Sequence, residues 1–328
     1  MDPLPAGIVL PFARHDSAGR RRLSYGSAVG GVRTFDPDLA RRLVLHEARA
    51  QQTPARELRD LGDGWLFHDP NDAEPFWNRL IAPSWPAQPA AFDHRLDEVI
   101  TLFATLDRLP HIRPLPSGGE PSDMADRLTA VGFAWMGADR RMVLVDHRGI
   151  RELVTACEER VAQSFGPEAV RVSRREVGSD AGDGRDASAR GRRWAERRRW
   201  AIDASLVLSD AFGVEPGRRV ALENDILACV SRPACAVLLV SVDGEPAAIA
   251  RRATTPDGSY LSSIGTRPAF RGRGLGALAT VLAVQDAVEA GSDLVHLAVE
   301  ADNEPALRLY ERVGFAAVGE PAPDLLLR

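Results

Sequence analysis

The sequence predicts an α/β fold laid down twice in tandem, and three observations predict it. Short apolar runs of strand length alternate with amphipathic stretches of helix length along the whole chain. Residues 126–134 (DRLTAVGFA) and 308–316 (RLYERVGFA) share Val-Gly-Phe-Ala, with Phe133 and Phe315 lying 182 residues apart in a chain of 328. A separation of more than half the chain reads as a diverged repeat. Residues 259–276 (SYLSSIGTRPAFRGRGLG) read as a strand, a glycine-rich turn and the start of a helix.

Composition sets the outer limits. An apolar content of 45% and a charged content of 27% are those of a globular chain with room for two cores. The net charge of −5 argues against nucleic acid and anionic membranes as partners and favours cationic substrates. All 41 basic residues are arginine, from which no function is drawn. Cys157, Cys229 and Cys235 are odd in number and lack metal-ligand spacing, so free thiols in a reducing compartment and no metal are expected. Residues 1–16 carry no basic leader, and the longest apolar run, 234–242, is shorter than the ~18 residues of a membrane helix. The expected location is cytoplasmic, and the expected assembly is a monomer or homodimer.

In the first half, residues 35–50 have helical spacing and residues 65–67 read as a strand. Residues 93–106 form the clearest amphipathic helix, with Leu96, Val99, Ile100 and Phe103 on one stripe. A strand at 111–115 and a helix at 120–131 follow, the latter stopped by Gly132 at a left-handed C′ position. Residues 141–145 are a further strand, and the boundary between the tandem units falls between Val145 and Arg171. The predicted units are 1–160 and 161–328.

The second half opens with a strand at 168–176. Residues 178–189, rich in Gly, Ser and Asp, read as a mobile loop. The arginine-rich stretch 190–200 reads as the wet side of a helix whose dry side carries Trp194, Ala201, Leu206 and Leu208, rather than as a nucleic-acid site. Strands at 234–242 and 246–251 make a hairpin, because Asp243-Gly244 is a hairpin turn signal. A strand at 294–300 leads to Asp302-Asn303-Glu304-Pro305, a strong helix start.

The glycine turn has a chemistry of its own. Gly272, Gly274 and Gly276 let backbone N–H groups approach a ligand with no Cβ between, and the positive end of the following helix favours an anion. Arg271 and Arg273 add forked donors for phosphate oxygens. A loose dinucleotide fingerprint, Gly272-x-Gly274-x-x-Ala277, is also satisfied, but roughly fifty residues remain, too few for the further βα units it requires. A glycine-rich helix entry without a ligand is the plainest alternative.

Residues 271–276 (RGRGLG) resemble the acetyl-CoA loop of the GNAT acyltransferases, (Arg/Gln)-x-x-Gly-x-(Gly/Ala). Ile264-Gly265-Thr266 resembles the end of that family's fourth strand, and Asn303, Tyr310 and Gly314-Phe315 resemble its next helix, in order over roughly the last seventy residues. The tandem layout is similar to that of the mycothiol synthase-like acetyltransferases. The resemblance implies two GNAT-like units, each a mixed, mostly antiparallel sheet flanked by helices, and acetyl transfer from acetyl-CoA to a primary amine by direct attack. It implies cofactor contacts at Ile264, Gly265, Thr266, Arg271, Gly272, Arg273, Gly274, Leu275, Gly276, Ala277, Asn303 and Ala306. Tyr310 falls on the family's position for the acid that protonates the departing thiolate. Tyr310 also shares a stripe with Ala306, Leu309 and Val313, so core packing is its other reading.

The base is the weakest assignment. The fourth strand carries no carboxylate or histidine, leaving Glu300 as the named candidate, with Glu245, Asp257 or a water chain beside it. Its absence keeps open a non-catalytic acetyl-CoA-binding sensor or scaffold. The matching stretch of the first half, Ala82 to Pro89, has three prolines and no glycine, so the first unit lacks an acetyl-CoA loop. Leu128 stands there where Tyr310 stands in the second unit.

Overall fold

The computed structural model describes residues 11–15, 21–25, 37–116, 119–176 and 187–328. Strands β1 (Pro11–His15) and β2 (Arg21–Tyr25) form a separate antiparallel ribbon. The first half continues with α1 (Pro37–Gln51), β3 (Glu57–Asp60), β4 (Trp65–His68), β5 (Arg79–Ile81), α2 (Pro89–Thr105), β6 (His111–Arg113), α3 (Met124–Ala130) and β7 (Ala134–Leu144). Helix α4 (Ile150–Phe165) leads to β8 (Val170–Glu176), α5 (Ala187–Phe212), α6 (Arg219–Cys229), β9 (Cys235–Val242) and β10 (Glu245–Thr255). The chain ends with β11 (Gly258–Thr266), α7 (Leu275–Glu289), β12 (Val295–Glu300), α8 (Glu304–Val313) and β13 (Phe315–Leu326).

Eleven strands make one mixed sheet in the order β3-β4-β5-β6-β13-β7-β12-β11-β10-β9-β8. Similar strand pairings occur in the first and second halves of the chain. In the first half β4 and β5 are antiparallel and β5 and β6 parallel; in the second β10 and β11 are antiparallel and β11 and β12 parallel. Each half then hands its last strand to the other: β7 pairs with β12, β13 pairs with β6, and β7 and β13 lie antiparallel at the centre. The paired Val-Gly-Phe-Ala segments lead into these two exchanged strands. Gly132 and Gly314 take the left-handed backbone with φ of +101° and +106°. A Cβ on Gly314 would stand 2.6 Å from the Asp146 carbonyl oxygen, so only glycine fits there.

Helices cover both faces. Leu261, Val281, Leu297, Leu307 and Tyr310 share one core beneath α7, α8 and α4. On the other face Trp200, Ala204 and Val207 of α5 pack on Leu239, Ile249 and Tyr260, and Leu39 and Leu43 of α1 pack on Val143 and Val318. The hairpin turn is as the sequence predicts, with Asp243 and Gly244 at φ of +50° and +83°, a two-residue loop matched to strand twist.

Several expectations are corrected. Cys229 and Cys235 are joined as a disulfide with Cα atoms 5.6 Å apart, an ordinary bridging separation, and only Cys157 is free. Trp194 is 61% exposed, and Leu206 is only half-buried; the dry stripe of α5 is instead Trp200, Ala201, Ala204, Val207 and Leu208. Residues 178–186 of the expected loop lie outside the described residues, and 187–189 already belong to α5. Between Val145 and Arg171 the chain forms α4, whose Ile150, Val154 and Val161 are buried.

A buried ionic cluster joins α1 to the exchanged strands. The Glu47 carboxylate receives the guanidinium of Arg79 at 3.0 Å and lies 3.5 Å from Arg113 and 3.3 Å from Arg141. Arg113 also pairs with Asp139 and Asp324, and His111 donates to Asp324. Burial lowers Arg79 to about 10, with the neighbouring Arg113 charge adding to it and Glu47 opposing. Among the described residues no helix is long and apolar enough to cross a membrane.

Candidate functional site

Strands β11 and β12 run parallel only through Ser259–Val295, Tyr260–His296 and Leu261–Leu297. Beyond Leu261 they separate, so the edge of β11 from residue 262 onward has no strand partner on that side. The separation coincides with a β-bulge: Arg251 faces Ser262 and Ile249 faces Gly265, leaving Ser263 and Ile264 opposite Ala250 alone. Ser263 takes φ of +51°, an unfavourable region for a serine, which marks strain held by the surrounding ladder. Gly265 is required by a close approach: a Cβ there would lie 2.8 Å from that of Ala211 on α5. The sequence-predicted close approach is therefore made by a helix of this chain.

The glycine turn closes one end of this wedge. Gly272 and Gly274 have φ of +78° and +93°, and Gly274 is the N-cap of α7. Leu278 donates to the Gly274 carbonyl at 3.0 Å, but among the described residues the N–H groups of residues 272–277 donate to no backbone carbonyl. Six backbone donors at the positive end of a helix make an anion cradle. A Cβ on Gly276 would come within 3.0 Å of the Thr266 hydroxyl, so the floor of the cradle has no space for a side chain. The residues present fit a diphosphate. Leu275 turns its side chain into the core and offers only its backbone, while Ile264 and Ala306 pack partly buried at the core's edge.

The two loop arginines have assigned partners. Arg271 donates to the carbonyls of Thr266 at 3.0 Å and Ala211 at 2.8 Å, tying the loop to β11 and α5. Arg273 donates to Ala269 O at 2.7 Å and lies 4.2 Å above the Phe165 ring. Arg160 and Val161 of α4 reach the same place, at 3.5 and 3.3 Å from a Cβ built on Gly274. Sequence reasoning missed this third arginine by reading its segment as a boundary; the helical spacing of Ile150, Val154 and Val161 was the available signal.

Helix α8 lies beside the cradle, with Leu309 Cδ1 3.8 Å from the Gly276 Cβ position. Asn303 caps α8, its side chain accepting from Ala306 N at 3.2 Å. Tyr310 is buried, edge-on to Phe315 at 6.1 Å, and burial pushes its phenol well above its ordinary range. Glu300 ends β12, exposed, directly opposite Asp139 on β7. The corresponding place in the first half is closed: Gln88 caps α2 by accepting from Ala91 N at 3.2 Å, and proline follows at the first helical position.

The opposite face of the same strands is polar and buried. His46 Nδ1 lies 2.6 Å from His296 Nε2, and His46 Nε2 lies 2.8 Å from Thr255 Oγ1. Burial lowers His296 well below 6.5, helped by His46 and Arg141; burial also lowers His46. Burial raises Asp324, but the His111 hydrogen bond and the Arg113 charge prevail and bring it to about 2. These shifts predict an acid profile in two stages. Below pH 6.5 the unfolded chain takes up histidine protons that the native chain refuses, so stability falls with pH. The Asp324 contribution, about 2 kcal/mol, is complete above 3.8 and is lost as pH falls to about 2. Urea unfolding across this range will show both stages, and Asp324→Asn will remove the lower one; a flat profile contradicts the assignment.

Residues 200–315 match the model of the Acetyltransferase (GNAT) family. The cradle, bulge and splayed strands all fall inside the matched residues. Among curated proteins, the chain is 44% identical over 66 residues to the mycothiol acetyltransferase of Corynebacterium aurimucosum, covering 20% of this chain and 22% of the relative. It is 38% identical over 88 residues to that of Nocardiopsis dassonvillei, covering 24% of this chain and 27% of the relative. The matched segments thus span about a quarter of those relatives' length. Among solved structures, a GCN5-related N-acetyltransferase from Kribbella flavida aligns over 88% of this chain and 95% of its own, with a TM-score of 0.56 at 19% identity. One from Sphaerobacter thermophilus aligns over 89% and 93%, with a TM-score of 0.52 at 16% identity. At these identities the likeness is one of fold, and it extends through both halves.

Proposed function

We propose that the chain transfers the acetyl group of acetyl-CoA to the primary amine of a small molecule, with no covalent enzyme intermediate. The observation that carries this reading is the set of unengaged N–H groups of residues 272–277 at one end of the β11–β12 wedge. A diphosphate on that cradle directs the pantetheine arm along the open edge of β11, past Thr266, Gly265 and Ile264. A backbone N–H near the Ser263 bulge then faces the thioester oxygen, where negative charge develops as the amine attacks. The nitrogen–carbon bond forms and the carbon–sulfur bond breaks; the thiolate takes a proton from Tyr310, and the proton the nitrogen sheds on becoming an amide restores the phenol through water. Burial keeps that phenol protonated at neutral pH, as an acid must be.

In this reading residues 161–328 are the catalytic unit and residues 1–160 a degenerate one, coupled through the exchange of β7 and β13. The names of the curated relatives make the cysteinyl amine of a sugar–cysteine conjugate the first acceptor to assay. Gly274→Asp tests the cradle. The aspartate carboxylate will compete for the helix N–H groups and repel the diphosphate, at some cost in stability because Gly274 is left-handed and a Cβ there meets Val161 at 3.3 Å. Calorimetry on the folded variant, below its melting temperature, is expected to show acetyl-CoA affinity reduced by about 100-fold; unchanged affinity would place the cofactor elsewhere. Acetyl-CoA binding without acetylation of any amine would favour a sensor.

A further inference from the structure

Two buried polar atoms at the mouth of the wedge have no hydrogen-bond partner: Ser262 Oγ on β11 and His296 Nδ1 on β12. They lie on one face of the sheet. Tyr260 and Ile249 pack under α5 and α6, and Ser262 faces Arg251, which donates to Asp225 of α6 at 2.7 Å. His296 is the cross-strand partner of Tyr260, with ring centroids 5.0 Å apart, and meets α1 on that same face. Ser262 stands two residues beyond Tyr260, so its Cα is roughly 8 Å from that of His296, given a strand rise of about 3.3 Å per residue. Both orphaned atoms stand on the face across the sheet from the glycine cradle.

The other nitrogen of His296 does not end there. It meets His46 Nδ1 at 2.6 Å, and His46 Nε2 meets Thr255 Oγ1 at 2.8 Å. Thr255 lies at the β10–β11 turn beside Asp257, whose side chain is 60% exposed. The row of donors and acceptors runs from the buried wedge to the surface.

We propose that His296 is the base on the acceptor side and that His46 relays the proton outward; this rests on the acetyltransferase reading above. The acceptor enters as an ammonium ion and must lose a proton to gain a lone pair. His296 Nδ1 takes that proton, directly or through a water held by Ser262. His296 Nε2–H passes its own to His46 Nδ1, and His46 Nε2–H passes one to Thr255 and solvent, so charge does not accumulate in the interior. The charged groups facing the pair are Arg141 of β7, Arg42 and Arg49 of α1 and Asp257 of the turn, and Tyr260, tilted against His296, feels Glu47, Asp139, Arg79 and Arg141. Burial holds both imidazoles neutral at pH 7 and disfavours their charged forms, so a proton taken by His296 does not rest there and passes on to His46. Glu300, exposed at the end of β12, is then not needed for deprotonation.

Two acceptor probes separate the possibilities. Ethanolamine is protonated at neutral pH and needs a base; hydroxylamine is already neutral and does not. For His296→Gln, which can still donate toward His46 but cannot take the proton, coenzyme A release with ethanolamine is expected to fall about 100-fold in kcat. The KM for acetyl-CoA will be unchanged, and the hydroxylamine rate will stay within about threefold of the parent. His46→Gln, a second variant on another element, will give a smaller fall with the same selectivity and a displaced acid limb in the pH–rate profile. An equal loss with both amines, or no loss with either, overturns the relay while leaving the acetyltransferase reading standing. A parent chain that acetylates neither amine overturns the relay as drawn, and one that also fails to bind acetyl-CoA overturns the acetyltransferase reading with it.

Discussion

Tyr310→Phe is expected to lower acetyl transfer about 10³-fold while leaving acetyl-CoA affinity within about twofold, measured by coenzyme A release and by calorimetry. The phenol hydroxyl is the only atom removed, so the ring keeps its edge-on contact with Phe315 and its place in the core beside Leu307 and Val313. The melting temperature should therefore change little. The expected size follows from the part played by a positioned acid, which contributes about 10²–10⁴-fold when a poor leaving group must be protonated. A drop confined to KM would mean that the hydroxyl positions the substrate and that another group supplies the proton.

Glu47→Ala is expected to lower folding stability by about 3–5 kcal/mol, read from urea unfolding. Three guanidiniums from β5, β6 and β7 converge on this carboxylate from α1, and Arg79 and Arg113 have almost no contact with solvent. Removing the shared anion leaves buried positive charge with only Asp139 and Asp324 to answer it. The cost should shrink when Arg141→Met is introduced beside it, because one uncompensated charge leaves with the carboxylate. Additive costs would show that Arg141 does not depend on Glu47.

Much of this was legible in the sequence, for reasons that can be named. The Asp243-Gly244 turn, the Gly132 and Gly314 helix stops and the glycine turn at 272–274 were readable because each rests on local backbone conformation. The exchange of β7 and β13 was not, since periodicity says nothing about which strand lies beside which. The disulfide was misread because Cys229 and Cys235 stand six positions apart, and only the fold of α6 against β9 brings them together. Trp194 was placed on the dry side of α5 by spacing alone, whereas the helix packs only from Trp200 onward. Residues that meet across the sheet were beyond reach: His46 and His296 are 250 positions apart, and neither belongs to a motif. The bulge at Ser263 left only a faint trace in Gly265, one residue beyond its doubled pair.

The account's central claim is a single acetyl-CoA site per chain, at the glycine turn of the second half. Calorimetric titration of the full chain with acetyl-CoA measures this directly. The account predicts one site per chain, lost in an Arg271→Ala, Gly274→Asp double variant. Two sites would contradict the closed α2 terminus of the first half, and no binding would reduce the glycine turn to a helix entry.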